Sequence, residues 1–81
     1  MGVKQLIQSN LKELLHARRL TIREFSRMID YRFESVRQLY NNESKQVPLA
    51  LVERVCLELR ITPGELFTVI DANGEAIQPK H

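Results

Sequence analysis

The chain of 81 residues has one cysteine, no tryptophan, three glycines and three prolines, and only 6% of it is aromatic. A lone thiol, Cys56, cannot close an internal disulfide, which excludes the stapled scaffold of many small secreted domains. No run of 18 or more apolar residues occurs, so no membrane-spanning helix is expected. The segment after Lys4 lacks the apolar stretch of a signal peptide. Leu6 stands where a myristoylation motif at Gly2 requires Ser or Thr. The expected setting is therefore the reducing cytoplasm. A glycine-rich phosphate loop, paired carboxylates and a serine beside a base are also missing, so neither an enzyme nor a bound cofactor is expected.

What is present is 43% apolar and 27% charged residues, enough for about one small domain. Twelve Lys and Arg against ten Asp and Glu leave a formal +2, which says little until its distribution is read. Residues 18–45 hold Arg18, Arg19, Arg23, Arg27, Arg32, Arg37 and Lys45 against Glu24, Asp30, Glu34 and Glu43, a local +3. Residues 1–17 carry +1 and residues 46–81 carry −2. The positive excess is central.

Apolar spacing organises residues 1–67 into helices. Val3, Ile7, Leu11, Leu14 and Leu15 fall on one stripe, which predicts a first helix ending near Arg18–Arg19, with Leu6 off the stripe. Thr21 followed by Glu24 is a capping box that opens a helix over 22–29. Asp30-Tyr31-Arg32 interrupts it, and a helix over 33–40 places Val36, Leu39 and Tyr40 on one side. Asn41-Asn42-Glu43-Ser44 has loop composition. Pro48 suits the start of a fourth helix with Val52, Val55, Cys56 and Leu59 inward and Leu57 elsewhere. Thr62-Pro63-Gly64-Glu65 is a second capping box, opening one turn through Leu66-Phe67. The expected fold is all-α, a compact bundle of about five short helices. Beyond 67 the character changes. Thr68–Asp71 is strand-like, Asn73-Gly74 favours a two-residue hairpin turn, and Ala76-Ile77 suits a return strand. Residues 68–81 read either as a dimerising strand or hairpin, or as a disordered end.

Thr21 to Asn41 supplies two short helices joined by a tight turn, the pattern of a helix-turn-helix. Phe25, Ile29 and Tyr31 can face Val36 and Leu39, while Ser26 is small where the helices approach. Arg32, Phe33, Glu34, Arg37 and Gln38 are left outward at the start of the second helix, where an exposed helix fits a major groove about 12 Å wide.

Over Leu11–Phe67 the chain resembles the Cro- and lambda-repressor-like (XRE-type) helix-turn-helix family, above all its short single-domain bacterial and phage regulators. The stretches that carry the resemblance are LKELLHARRLTIREFSRMI, YRFESVRQLYNN and VPLALVERVCLELRITPGELF. The resemblance implies a double-stranded DNA partner, with Phe33, Glu34 and Gln38 at base edges and Ser35 and Arg37 flanking them. It also implies phosphate contacts from Arg32 and Asn41. Side-chain chemistry agrees in part: Gln38 can pair with adenine, Glu34 can accept from cytosine N4, and Phe33 can touch a thymine methyl. Thr21, Arg23 and Lys45, close to this helix, complete the expected DNA-binding set. The chain departs from the family pattern in three places. Asp30 replaces a turn glycine, Arg32 replaces a small N-cap, and Leu15 with Tyr40 replaces an arginine–acid pair. The last change reads as an apolar contact in place of an ion pair.

One such helix reads few base pairs, so a homodimer on two half-sites is expected, with Leu57, Val69, Ile70 and Ile77 as candidate contacts. The expected function is a sequence-specific transcriptional regulator, a repressor acting by occupancy. The rival is a protein-interaction module of the same fold, antitoxin-like or antirepressor-like, in which Tyr31, Phe33 and Tyr40 form an aromatic contact surface. Blander roles stand beside these: Phe33 packed on a neighbouring loop, Glu34 as a favourable helix N-terminal charge, Gln38 and the arginines as solvated surface. Cys56 reads as a packed core thiol, and His16 and His81 are too isolated for a metal site.

Overall fold

Threonine hydroxyls cap the starts of two of the five described helices, and left-handed residues follow the ends of four. The computed structural model describes residues 6–71 together with Glu75 and Ile77. Its elements are β1 (Ile7–Ser9), α1 (Leu11–Ala17), α2 (Ile22–Met28), α3 (Phe33–Tyr40), α4 (Leu49–Leu59), α5 (Pro63–Leu66) and β2 (Phe67–Val69). Both expected capping boxes are formed. Thr21 Oγ1 accepts from the Glu24 N–H at 3.0 Å, and the Glu24 carboxylate accepts from the Thr21 N–H at 2.9 Å. Thr62 and Glu65 repeat the exchange at 3.3 and 3.2 Å, with Pro63 in the first turn.

Arg19, Asp30, Asn42 and Arg60 all take left-handed backbone, with φ of 56°, 53°, 59° and 56°. Each turns the chain so that the following N–H reaches a carbonyl five residues back. These bonds are Leu20 to Leu15 (2.9 Å), Tyr31 to Ser26 (3.0 Å), Glu43 to Gln38 (2.8 Å) and Ile61 to Cys56 (3.0 Å). This closure satisfies otherwise orphaned helix carbonyls. Asp30 thus adopts the conformation that the missing glycine would have supplied.

The first segment departs from expectation. Ile7, placed above on a helical stripe with Leu11 and Leu14, lies in a strand, and the helix starts only at Leu11. Ser9 is the reason: its Oγ accepts from the Leu11 N–H at 3.0 Å, which competes with helix continuation. The β-branched Ile7 instead stands opposite Val69 in an antiparallel β1–β2 pair, with Gln8 opposite Thr68 and Ser9 opposite Phe67. Val3 lies outside the described residues. The C-terminal strand is therefore real, but its main partner is N-terminal. A return segment adds to its other side, where the Ile77 N–H donates to Val69 O and the Asp71 N–H to Glu75 O, both at 2.8 Å. Asn73, Gly74 and Ala76 lie outside the described residues.

Leu11, Leu15, Phe25, Ile29, Val36, Leu39, Leu51, Val55, Leu59 and Leu66 form one core, so every helix contributes at least one buried side chain. Val52 and Cys56, expected inward, pack against this core half-buried, while Leu51 takes the deeper place. Two arginines hold helix ends together. Arg18 donates to Leu14 O and Leu59 O at 3.1 and 3.2 Å, and Arg54 to Ile29 O and Asp30 O at 3.1 and 2.6 Å. Cations at these sites also complement the negative ends of α1, α4 and α2. No helix among the described residues is long and apolar enough to cross a membrane.

Candidate nucleic-acid interface

The α2–α3 unit positions the candidate surface. Phe25 and Ile29 from α2 meet Val36 and Leu39 from α3 in the core, and Tyr31 packs against them. Ser26 is buried, with its hydroxyl returned to Arg23 O at 2.9 Å, so the helices can approach. With Val36 and Leu39 turned inward, the remaining α3 side chains are left exposed or half-exposed. Arg32 is the N-cap and makes no side-chain capping bond, leaving its exposed guanidinium at the start of α3.

Phe33 is half-buried in the cleft between α3 and the α1–α2 corner, with the Arg23 guanidinium 4.7 Å from its ring centroid. Cation–π stacking at this distance orients both groups. Ser35 and Gln38 are half-exposed, and the Gln38 side chain has no hydrogen-bond partner among the described residues. Asn41 and Lys45 are exposed beyond the C-terminus of α3, and Thr21 is exposed with its hydroxyl committed to capping α2. Arg32, Phe33, Glu34, Ser35, Arg37 and Gln38 therefore cluster on α3, with Arg23 and Thr21 from the start of α2 lining the same cleft as Phe33.

Glu34 is not a free acceptor. Arg37 Nε donates to Glu34 Oε1 at 2.8 Å and Arg37 Nη2 donates to Glu34 Oε2. Arg37 Nη1 lies 3.3 Å from Glu43 Oε1. The Arg37 hydrogen bonds hold the Glu34 carboxyl below the usual carboxylate range, and the two carboxylates raise Arg37 further still. Glu43 was not foreseen as part of this surface. Its loop position gave no sign that it folds back on α3. Among the described residues these are the only ion pairs, so Arg19, Arg27, Arg32 and Lys45 remain without a carboxylate partner. Arg18, counted above in the positive excess, is spent on helix carbonyls.

The Leu15 and Tyr40 exchange behaves as an apolar one. Leu15 is fully buried and Tyr40 packs against the same core. The polar tip of Tyr40 finds its own partner, His16 Nε2, at 2.8 Å. Cys56 is half-buried, and desolvation followed by the nearby Glu65 pushes its thiol up, which disfavours the reactive thiolate. No group of three potential metal ligands occurs among the described residues, and His81 lies outside them.

Of the candidate dimer residues, Leu57, Val69 and Ile77 are exposed, at 71%, 43% and 55%. Ile70 is turned into its own protomer, with 9% exposure, which leaves it little surface to offer a partner. Ile7, Leu49 and Val69 also line an apolar groove of about 530 Å³ beside β1–β2 and the start of α4.

No curated protein and no solved structure matches the chain. The sequence model of the Cro/C1-type HTH DNA-binding domain matches residues 10–72, which takes in every element from α1 to β2. With that match spanning most of its length and the helix-turn-helix formed as described, the chain belongs to the Cro/C1-type HTH DNA-binding domain family.

Proposed function

We propose that this chain is a sequence-specific transcriptional repressor that binds duplex DNA as a homodimer, with α3 in the major groove. The observation that carries the reading is α3 itself, braced by α2 through an apolar inner side and open on its outer side. Arg32 stands at its start and Lys45 beyond its end, both uncommitted, where phosphates flank a helix in the groove. Gln38, with no partner of its own, is the side chain best suited to read a base edge. A single helix of eight residues reads too little sequence for specificity, which supports two half-sites about 34 Å apart. Leu57, Val69 and Ile77 supply exposed apolar surface for the second copy. In this reading the bound dimer represses by occupying the site.

Selection of bound sites from a random duplex pool tests the reading. A two-fold symmetric site with half-sites one helical turn apart is expected; an empty selection refutes it. The apolar groove beside β1–β2 favours a second reading, a protein-interaction module with little DNA binding. Salt separates the two. Phosphate-driven affinity falls steeply with ionic strength, whereas an apolar interface holds.

A further inference from the structure

Arg37 is central to the outer side of α3 and is engaged from two directions. Glu34, one turn earlier on the same helix, takes Nε and Nη2 in a two-point contact. Glu43 lies outside the helix and reaches Nη1 only because Asn42, at φ 59°, folds the chain back and fixes the Glu43 N–H on Gln38 O. The guanidinium and its two carboxylates together carry one net negative charge, on the surface proposed to meet a polyanion. The guanidinium keeps N–H donors that neither carboxylate takes, but an oxygen acceptor that approaches Nη1 meets the Glu43 carboxylate there and competes with it. The two carboxylates are unequal. Glu34 makes a paired, local contact, whereas Glu43 makes a single contact at 3.3 Å and is exposed.

We infer that Glu43 is an autoinhibitory stand-in for a nucleic-acid oxygen: it occupies the outer edge of Arg37 in the free protein and is displaced when duplex binds, while Glu34 keeps the guanidinium oriented. The inference rests on the reading that α3 enters the major groove, and it adds a residue outside the helix that sets affinity. The displacing acceptor is a phosphate oxygen or guanine O6/N7, which share the required geometry.

The test is a double-mutant cycle on the full chain, with parent, Glu43→Gln, Arg37→Ala and the double variant titrated onto the selected duplex and onto a random-sequence duplex of equal length. Glu43→Gln keeps the backbone bond to Gln38 and removes only the charge. It is expected to tighten binding about two- to fivefold, the scale of one exposed ion pair. In the Arg37→Ala background that gain is expected to vanish, because nothing remains to be released. A gain on both duplexes with a salt slope steeper by about 0.9 identifies a phosphate acceptor. A gain confined to a selected duplex with guanine at one position identifies a base edge. An equal gain in both backgrounds overturns the inference, since Glu43 then acts by general repulsion, and no gain at all overturns it too. Failure of all four proteins to bind either duplex overturns the DNA reading, and the inference with it.

Discussion

Asn42→Gly should destabilise this protein although glycine is the residue that a left-handed helix end usually prefers. At Arg60, φ 56°, the side chain has no partner among the described residues, so the ordinary rule applies. Glycine there removes a left-handed penalty of about 1–2 kcal/mol and adds about 0.4–1 kcal/mol of unfolded-state entropy. Arg60→Gly is therefore expected to gain roughly 0.5–1 kcal/mol. Asn42 has the same backbone, φ 59°, but its side chain acts as a short piece of strand. Its Oδ1 accepts from the Ser9 N–H at 2.6 Å and its Nδ2 donates to Ser9 O at 3.3 Å. Ser9 is buried, so glycine leaves a backbone N–H without a partner, at about 1–3 kcal/mol. Asparagine already tolerates left-handed backbone, and little relief offsets that loss. For a domain of this size the expected drop in Tm is roughly 4–8 °C per kcal/mol. Urea melts followed by helical circular dichroism measure both variants. Asn42→Gly matching or exceeding the parent would show that the Ser9 pairing contributes nothing, and the reasoning would fail.

Three further outcomes are expected. Hydrogen bonds from the Thr21 backbone and then its hydroxyl hold Glu24 below the usual carboxylate range. With the folded pKa depressed, the contribution is present above the unfolded value of about 4.3 and is lost as pH falls through the folded one. The stability gap between parent and Glu24→Gln should therefore shrink below about pH 4.3 in urea melts; a gap constant with pH contradicts the assignment. Arg54→Met removes two bonds to the carbonyls ending α2 and should cost about 1–2 kcal/mol of unfolding free energy. On DNA, Gln38→Ala should lose about 1–3 kcal/mol at one base position, whereas Arg32→Ala should weaken all duplexes alike. Equal losses on every sequence for Gln38→Ala, measured by competition titration, would argue against base reading.

The two capping boxes and the bounds of α3 were legible in the sequence because their causes lie within a few residues. Thr21 with Glu24 and Thr62 with Glu65 announce their helices, and both boxes form. The Phe33–Tyr40 helix matches because its apolar spacing and its flanking breaks agree. Asp30 at φ 53° follows from a missing glycine in a family pattern. What failed was the N-terminal segment, where Ile7 fits the helical stripe by spacing but lies in a strand. Asn10 stands at the N-cap of α1 but makes no side-chain capping bond. Its side chain donates to Glu65 O at 3.1 Å and Thr68 Oγ1 at 2.9 Å.

The parts that sequence reasoning missed are joined to one another, and they act on α3. Ser9 is tied by Asn42 to the end of α3, and Asn10 is tied to the chain around β2. The same Asn42 that pairs with Ser9 sets the left-handed turn that delivers Glu43 to Arg37. The Ser9–Asn42 and Asn10–Thr68 partners are 33 and 58 residues apart in sequence, so no short window contains both halves of either, whereas Glu43 meets Arg37 through the turn at Asn42. The β1–β2 sheet is thus a brace on the recognition helix as well as an edge feature. Capture of that sheet by a second copy through Val69 or Ile77, as proposed, would have a short hydrogen-bonded route, Ser9 to Asn42, to the Glu43–Arg37 contact on the side proposed to face DNA. Helix α3 is held on its inner side by α2 and at its C-terminal end by β1, so under the proposed DNA reading both braces set how its outer side meets the duplex.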